Sequence, residues 1–307
     1  MKEIIIARSY DKFFNLNERE ETRLKNLNRE ELYPMRVIKK YNGYLGILSV
    51  YKGKDGELKW WISSKTSPNG LYAEKFKKMI TPFLTDELKE KIYKDNVTLT
   101  FEVVDPEFDP HIEEYKNKAL YLLDVISKEI DFKIKDNIFD YLYLFNLKPE
   151  IKNNLHNYLY LFNLKPKNND VYLAYAKEIN VIKNFKELIE FIEYINSVKP
   201  FDKKNYIEGY VFKCGNKESP FMFKLKTDWY RFWKSMRTLK DIVGKKLYPY
   251  DEEKLKRELP SIQKQLHTYE ENKFLNYLIE LIKNNINPIE KNIIELRNDF
   301  FEKKLKN

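Results

Sequence analysis

Hydrophobic positions along the chain recur with two different periods. Residues 44–50 (YLGILSV) form a nearly continuous apolar run, Lys54-Asp55-Gly56 breaks it, and residues 58–62 (LKWWI) resume it. Two β-prone runs around an Asp-Gly turn predict a hairpin. Residues 97–104 (VTLTFEVV) alternate in part with period two and predict a further strand. Residues 206–213 and 221–226 predict another strand pair, joined by the turn-rich 214–220. Helical spacing appears over 117–130 and over 184–198, where Leu188, Ile189, Phe191, Ile192 and Ile195 share one face. From about Ser235 the pattern is helical, including 272–283. A last helix is expected at Asn287-Pro288, an N-cap followed by proline in the first turn. The expected fold class is α+β.

One segment is duplicated. YLYLFNLKP occurs at 141–149 and again at 158–166. Two copies at so short an offset do not make a solenoid. The repeat reads as a local tandem duplication within a helical insert, and its role is open.

The 307 residues suggest roughly two domains. Hydrophobic residues at 43% allow a sizeable core beneath a surface made from 34% charged residues. No apolar run is long enough for a membrane span, and the first residues do not resemble a signal peptide. A single cysteine, Cys214, excludes an internal disulfide and fits a reducing, cytoplasmic setting. One Cys and three scattered His argue against a structural zinc site. The net charge of +9 favours an anionic partner. The 15% aromatic content, with 23 Tyr, would suit stacking of unpaired bases beside Lys and Arg. Codon bias explains the same composition, so it decides little alone.

Candidate chemistry begins at Lys40-Tyr41-Asn42-Gly43, just before the predicted strand at 44–50. Lysine is a nucleophile only when neutral, and at its ordinary pKa about one in a thousand is neutral at physiological pH. A glycine three residues on lets backbone approach closely. Glu102 sits inside one predicted strand and Glu208 at the start of another. Lys224 and Lys226 are two apart on a strand, so they project to one face like a pair of cations aimed at one phosphate. Each feature alone fits a solvated surface; the ordered set is less readily explained so.

That ordered set resembles the covalent nucleotidyltransferase superfamily of ATP-dependent ligases and capping enzymes. It is most similar to the phage RNA ligase 1 group and the ligase domain of fungal tRNA ligases. Lys12-Phe13-Phe14-Asn15-Leu16-Asn17-Glu18 resembles the KFFN stretch before the nucleophile. Ser64-Lys65-Thr66-Ser67 resembles a second segment, Asp109-Pro110-His111-Ile112 a third, and Lys224-Leu225-Lys226-Thr227-Asp228-Trp229-Tyr230 the KxKxDWY motif. The resemblance spans about residues 5–240. In relatives a strand with Arg-Gly precedes KFFN, and no such strand is read here.

The resemblance implies an adenylyltransferase domain at 1–235, with a helical insert at about 113–200, followed by a helical domain at 236–307. It implies an ATP-dependent RNA ligase joining 5′-phosphate and 3′-hydroxyl ends, on broken tRNA or similar RNA. Lys40 would carry AMP as a phosphoramidate. Lys12, Phe14, Asn42, Gly43, Lys65, Glu102, Glu208, Lys224 and Lys226 would bind ATP, and Glu102 and Glu208 would also hold Mg²⁺ or Mn²⁺. A monomer is expected, with a separate kinase or phosphatase healing the ends, since no GxxxxGK[ST] segment is present. The alternatives are a DNA ligase, a capping guanylyltransferase, or a non-catalytic RNA-binding protein on the same fold.

Overall fold

The computed structural model describes residues 4–145, 150–152, 159–161, 171–176, 178–197 and 206–304. Along the chain run β1 (Phe14–Asn15), β2 (Met35–Lys40), β3 (Tyr44–Lys52), β4 (Leu58–Ser64), α1 (Leu71–Ile80), α2 (Asp86–Lys94), β5 (Val97–Val104) and β6 (Lys118–Ser127). Then come α3 (Ile138–Leu144), β7 (Glu150–Lys152), β8 (Leu159–Leu161), β9 (Val171–Tyr175), β10 (Glu178–Ile182) and α4 (Phe185–Ser197). The chain continues with β11 (Gly209–Cys214), β12 (Phe221–Lys226), α5 (Asp228–Leu247), α6 (Glu252–Gln263), α7 (Tyr269–Lys283) and α8 (Ile293–Lys304). The class is α+β. Among the described residues no helix is long and apolar enough to cross a membrane.

The chain divides into two compact units. The first comprises Met1–Asp109, Tyr115–Ile195 and Gly209–Lys226; the second comprises Pro110–Glu114, Asn196–Glu208 and Thr227–Asn307. The first unit holds two five-stranded sheets, ordered β1-β12-β11-β2-β10 and β4-β3-β5-β6-β9. Period-two patterning explains how the second sheet is used. Val97, Leu99, Phe101 and Val103 of β5 are buried against Phe76 of α1 and Leu88 and Ile92 of α2. Thr98, Thr100 and Glu102 therefore point to the opposite face. Thr85 starts α2 as a side-chain N-cap, accepting the N–H of Leu88.

The second unit is helical. Trp229, Trp233, Met236 and Val243 of α5 pack with Phe274 and Leu278 of α7 and Leu296 of α8. Thr227 caps α5 by accepting from Tyr230 N–H, and Thr268 and Glu271 form a capping box on α7. The Arg297 side chain is buried, with its guanidinium 5.3 Å from the Trp229 ring and 5.4 Å from the Tyr206 ring. It donates to the Ile112 carbonyl at 2.7 Å.

Several expectations need correction. Residues 117–130 are not helical: they supply β6, an interior strand of the second sheet. Their apolar residues fit period 3.6 and a strand buried on both sides about equally, and tertiary pairing decides between them. The expected helical insert is thus mixed, with strands β6 to β10 beside α3 and α4 among its described residues. The second compact unit runs from Thr227 and also includes Pro110–Glu114 and Asn196–Glu208. At Asn287 the cap is present, accepting from Ile289 N–H, but it opens a 3₁₀ turn; α8 begins only at Ile293. Residues 146–149, 153–158 and 162–166 of the duplicated segment lie outside the described residues. Within the described parts, Leu142-Tyr143-Leu144 is helical and the matching Leu159-Tyr160-Leu161 is extended.

Candidate functional site

Three strands of the first sheet lay their side chains out in rows. Gly209 of β11 is paired with Lys40 of β2 on one side and with Lys226 of β12 on the other. Residues paired across a sheet share a face, so two lysines flank a residue that has no side chain. A Cβ on Gly209 would lie 2.1 Å from the Leu225 carbonyl oxygen, which is why glycine stands there. The next rows on that face are Ile38–Val211–Lys224 and Arg36–Lys213–Met222.

The second sheet answers with Leu45–Glu102–Tyr121 and Ile47–Thr100–Asp124. Between these two rows β6 has a bulge, where Thr100 pairs with Asp124 and Phe101 with Leu122. Leu123 is the extra residue. A bulge re-aims side chains, and here Leu123 and Asp124 both come to line one cavity.

That cavity has a volume of about 560 Å³ and takes residues from both sheets. The N-terminal segment completes it. Arg8 N–H donates to Thr98 Oγ1 at 3.0 Å, tying the segment to the second sheet. The chain then crosses to the first sheet, where β1 pairs in parallel with β12 and Leu16 N–H bonds the Lys224 carbonyl at 2.8 Å. This places Lys12, Phe14 and Asn15 in the cavity wall with Lys224. The Phe14 ring has Lys12 Nζ 5.0 Å and the Arg19 guanidinium 4.8 Å from its centre, so it acts as a seat for two cations.

Of the residues expected from sequence, Lys12, Phe14, Lys40, Lys65, Glu102 and Lys224 all line this cavity. Lys226 shares the Lys40 row. Asn42 and Gly43 form the turn after Lys40: Asn42 N–H donates to Tyr115 Oη and Gly43 N–H to Glu102 Oε1, each at 2.9 Å. Gly43 is required by a close approach to protein, since a Cβ would sit 2.2 Å from the Val103 carbonyl oxygen. Glu102 thereby holds the turn after Lys40 as well as facing the cavity. Glu208 belongs to the second unit, where its N–H donates to Glu113 Oε2 and its carbonyl accepts from Thr227 N–H. The expected carboxylate pair is therefore divided between the two units.

Sequence reasoning missed the inner end of the cavity. There Asp124 accepts from Lys213 Nζ at 2.5 and 2.6 Å and from the Tyr10 hydroxyl. Burial, with Asp124 alongside, pushes the Tyr10 phenol well above its ordinary pKa. Lys213 was legible in principle, being two residues beyond Val211 and four beyond Gly209 on one face of β11. Asp124 was hidden by the bulge. Leu123 and Val211 were missed too, and they bring an aliphatic side chain to the cavity from each sheet.

The cavity wall carries six lysines (12, 39, 40, 65, 213 and 224) and four carboxylates (Asp11, Glu18, Glu102 and Asp124). A cationic surplus around an aliphatic slot suits a ligand with a polyanionic end and a flat apolar end, which is the class of a nucleotide. The chain belongs to the RNA ligase family, whose model matches residues 1–230. A comparison with curated proteins finds no match.

Among solved structures it is similar to an archaeal ATP-dependent RNA ligase, at 12% identity and a TM-score of 0.46, covering 90% of this chain and 63% of that one. It is similar to a Naegleria gruberi RNA ligase bound to PPi, at 13% identity and a TM-score of 0.47, covering 77% and 62%. An Aquifex aeolicus protein assigned as an ATP-dependent DNA ligase gives 15%, 0.47, 89% and 64%. The chain thus spans less than two thirds of the length of each, and family membership rests on the sequence match.

Proposed function

We propose that this protein is an ATP-dependent RNA ligase that joins 5′-phosphate and 3′-hydroxyl ends through an AMP carried on Lys40. The observation that supports it best is the meeting of Lys40, Lys12, Lys65, Glu102 and Lys224 in one cavity of a chain from the RNA ligase family. The neutral Lys40 Nζ attacks the α-phosphorus of ATP; a P–N bond forms, the α–β P–O bond breaks, and pyrophosphate leaves. The 5′-phosphate oxygen of an RNA end then attacks the same phosphorus, freeing Lys40 and giving a 5′–5′ adenylylated end. A 3′-hydroxyl finally attacks the RNA phosphorus and AMP leaves.

Lys224 and Lys226 supply fixed positive charge where negative charge grows on the α-phosphate. Lys12 and Lys65 hold the outer phosphates, and the purine lies between Leu123 and Val211. Among the described residues no group of three or more His, Cys, Asp or Glu is arranged to hold a metal. Mg²⁺ needs no such cage, being held by one or two carboxylates together with substrate phosphates. Glu102 fits that role, and a bound Mg²⁺ would neutralise phosphate charge. Broken tRNA is the proposed substrate class, with its ends healed by a separate enzyme.

The test is incubation with α-labelled ATP and Mg²⁺, then denaturing electrophoresis. Acid-labile, base-stable label on wild type and none on Lys40→Ala is expected. Label retained in Lys40→Ala moves the nucleophile elsewhere, label from GTP alone indicates a capping enzyme, and no label from either sinks the proposal.

A further inference from the structure

Lys213 and Asp124 meet in the cavity wall, one from each sheet, with side chains only 7% exposed. Tyr10 adds its hydroxyl from the N-terminal segment, so three separate parts of the chain meet at this clasp. Structure alone would be served by the ion pair. Its placement says more. Lys213 lies four residues beyond Gly209 on the same face of β11, which puts it about 13 Å along the strand from the Lys40 row. That is the length scale of a nucleoside monophosphate from its phosphorus to the far edge of its base.

An ammonium has three donors. The hydrogen bonds Lys213 makes among the described residues go to the two oxygens of Asp124. A second cavity, of about 340 Å³, shares Ile38, Leu123, Asp124, Ala176 and Lys213 with the first. Lys213 therefore borders open space on both sides of the clasp.

We infer that Lys213 is a base-reading residue: its remaining N–H donates to a ring nitrogen of the purine, while Asp124 and Tyr10 hold the ammonium in place. This rests on the adenylylation reading above and adds to it which protein group selects the base. The recognised chemistry is an unprotonated ring nitrogen on the base edge farthest from the phosphate. A pyrimidine, one ring shorter, leaves the donor unpaired.

The test uses the full chain with ATP, 1-deaza-ATP, 3-deaza-ATP and 7-deaza-ATP. Formation of the protein–nucleotide adduct is followed by intact mass, giving kcat/KM for each. The analogue lacking the far-edge nitrogen, 1-deaza-ATP, should react about tenfold or more slowly than ATP, the loss expected when a hydrogen bond to a charged group is removed. The other two should stay close to ATP. Lys213→Met should remove that selectivity, treating ATP and the sensitive analogue alike. Should Lys213→Met misfold, Lys213→Met with Asp124→Leu gives a neutral pair for the same comparison. Equal rates with all analogues on wild type overturn the inference and leave the ligase reading standing. So does selectivity that survives loss of Lys213. No adduct with ATP itself overturns both.

Discussion

Removing Asp124 alone should destabilise the first unit far more than replacing the whole ion pair. In Asp124→Ala, the Lys213 ammonium keeps its burial at 7% exposure and loses both recorded partners at 2.5 and 2.6 Å. Leaving one member of a buried pair uncompensated costs about 3–5 kcal/mol, against a typical domain stability of about 5–15. The Tyr10 hydroxyl loses its acceptor in the same substitution, adding to the loss. Lys213→Met should cost a similar amount. The double variant Lys213→Met/Asp124→Leu should lose much less than the sum, because no buried charge remains. Tryptophan fluorescence would blur the result, since Trp60 and Trp61 lie in the first unit and Trp229 and Trp233 in the second. Hydrogen exchange under increasing urea, read from peptides of β5, β6 and β11, isolates the first unit. Either of two results refutes the reasoning. One is a loss below about 1 kcal/mol for Asp124→Ala, the range of an exposed pair. The other is a double variant that loses the full sum of the singles.

Two further predictions concern single positions. Gly209→Ala forces a Cβ against the Leu225 carbonyl oxygen and the Lys226 Cα, at 2.1 and 2.9 Å. Both are backbone, so β11 and β12 must separate, at about 1–3 kcal/mol; urea midpoints should fall and adduct formation on Lys40 should drop further than stability alone explains, while an unchanged protein would disprove the row geometry. Cys214 is buried, which pushes its thiol up to about 12. The thiolate is then scarce at pH 8, so a maleimide should label only the unfolded chain, and rapid labelling of native protein contradicts that burial.

The legible parts of this fold are those whose pattern has one reading. In β5, VTLTFEVV alternates in part with period two, and its bounds agree with expectation; those of β12 do the same. The cavity residues that came out of the sequence are those on regular strands or in segments of distinctive order, such as Lys12, Phe14 and Lys224. What stayed hidden has a physical cause in each instance. The apolar residues of β6 fit both a helical and an extended period, so pairing with β5 and β9 rather than the pattern makes it a strand. A bulge adds one residue without any local signature in composition, so nothing in LYLLDV shows that Leu123 and Asp124 turn to the same cavity. For Gly43, sequence shows that a glycine stands there, and only the fold shows that the Val103 carbonyl is what the missing side chain admits. Lys213 shows the same limit. Its place two residues after Val211 was readable, but its importance depends on Asp124, and that pairing exists only because the bulge brings Asp124 to the facing sheet's inner wall. Cross-sheet partners are therefore the level at which reading by periodicity stops, and here they are also the level at which the Lys213–Asp124 end of the cavity is built.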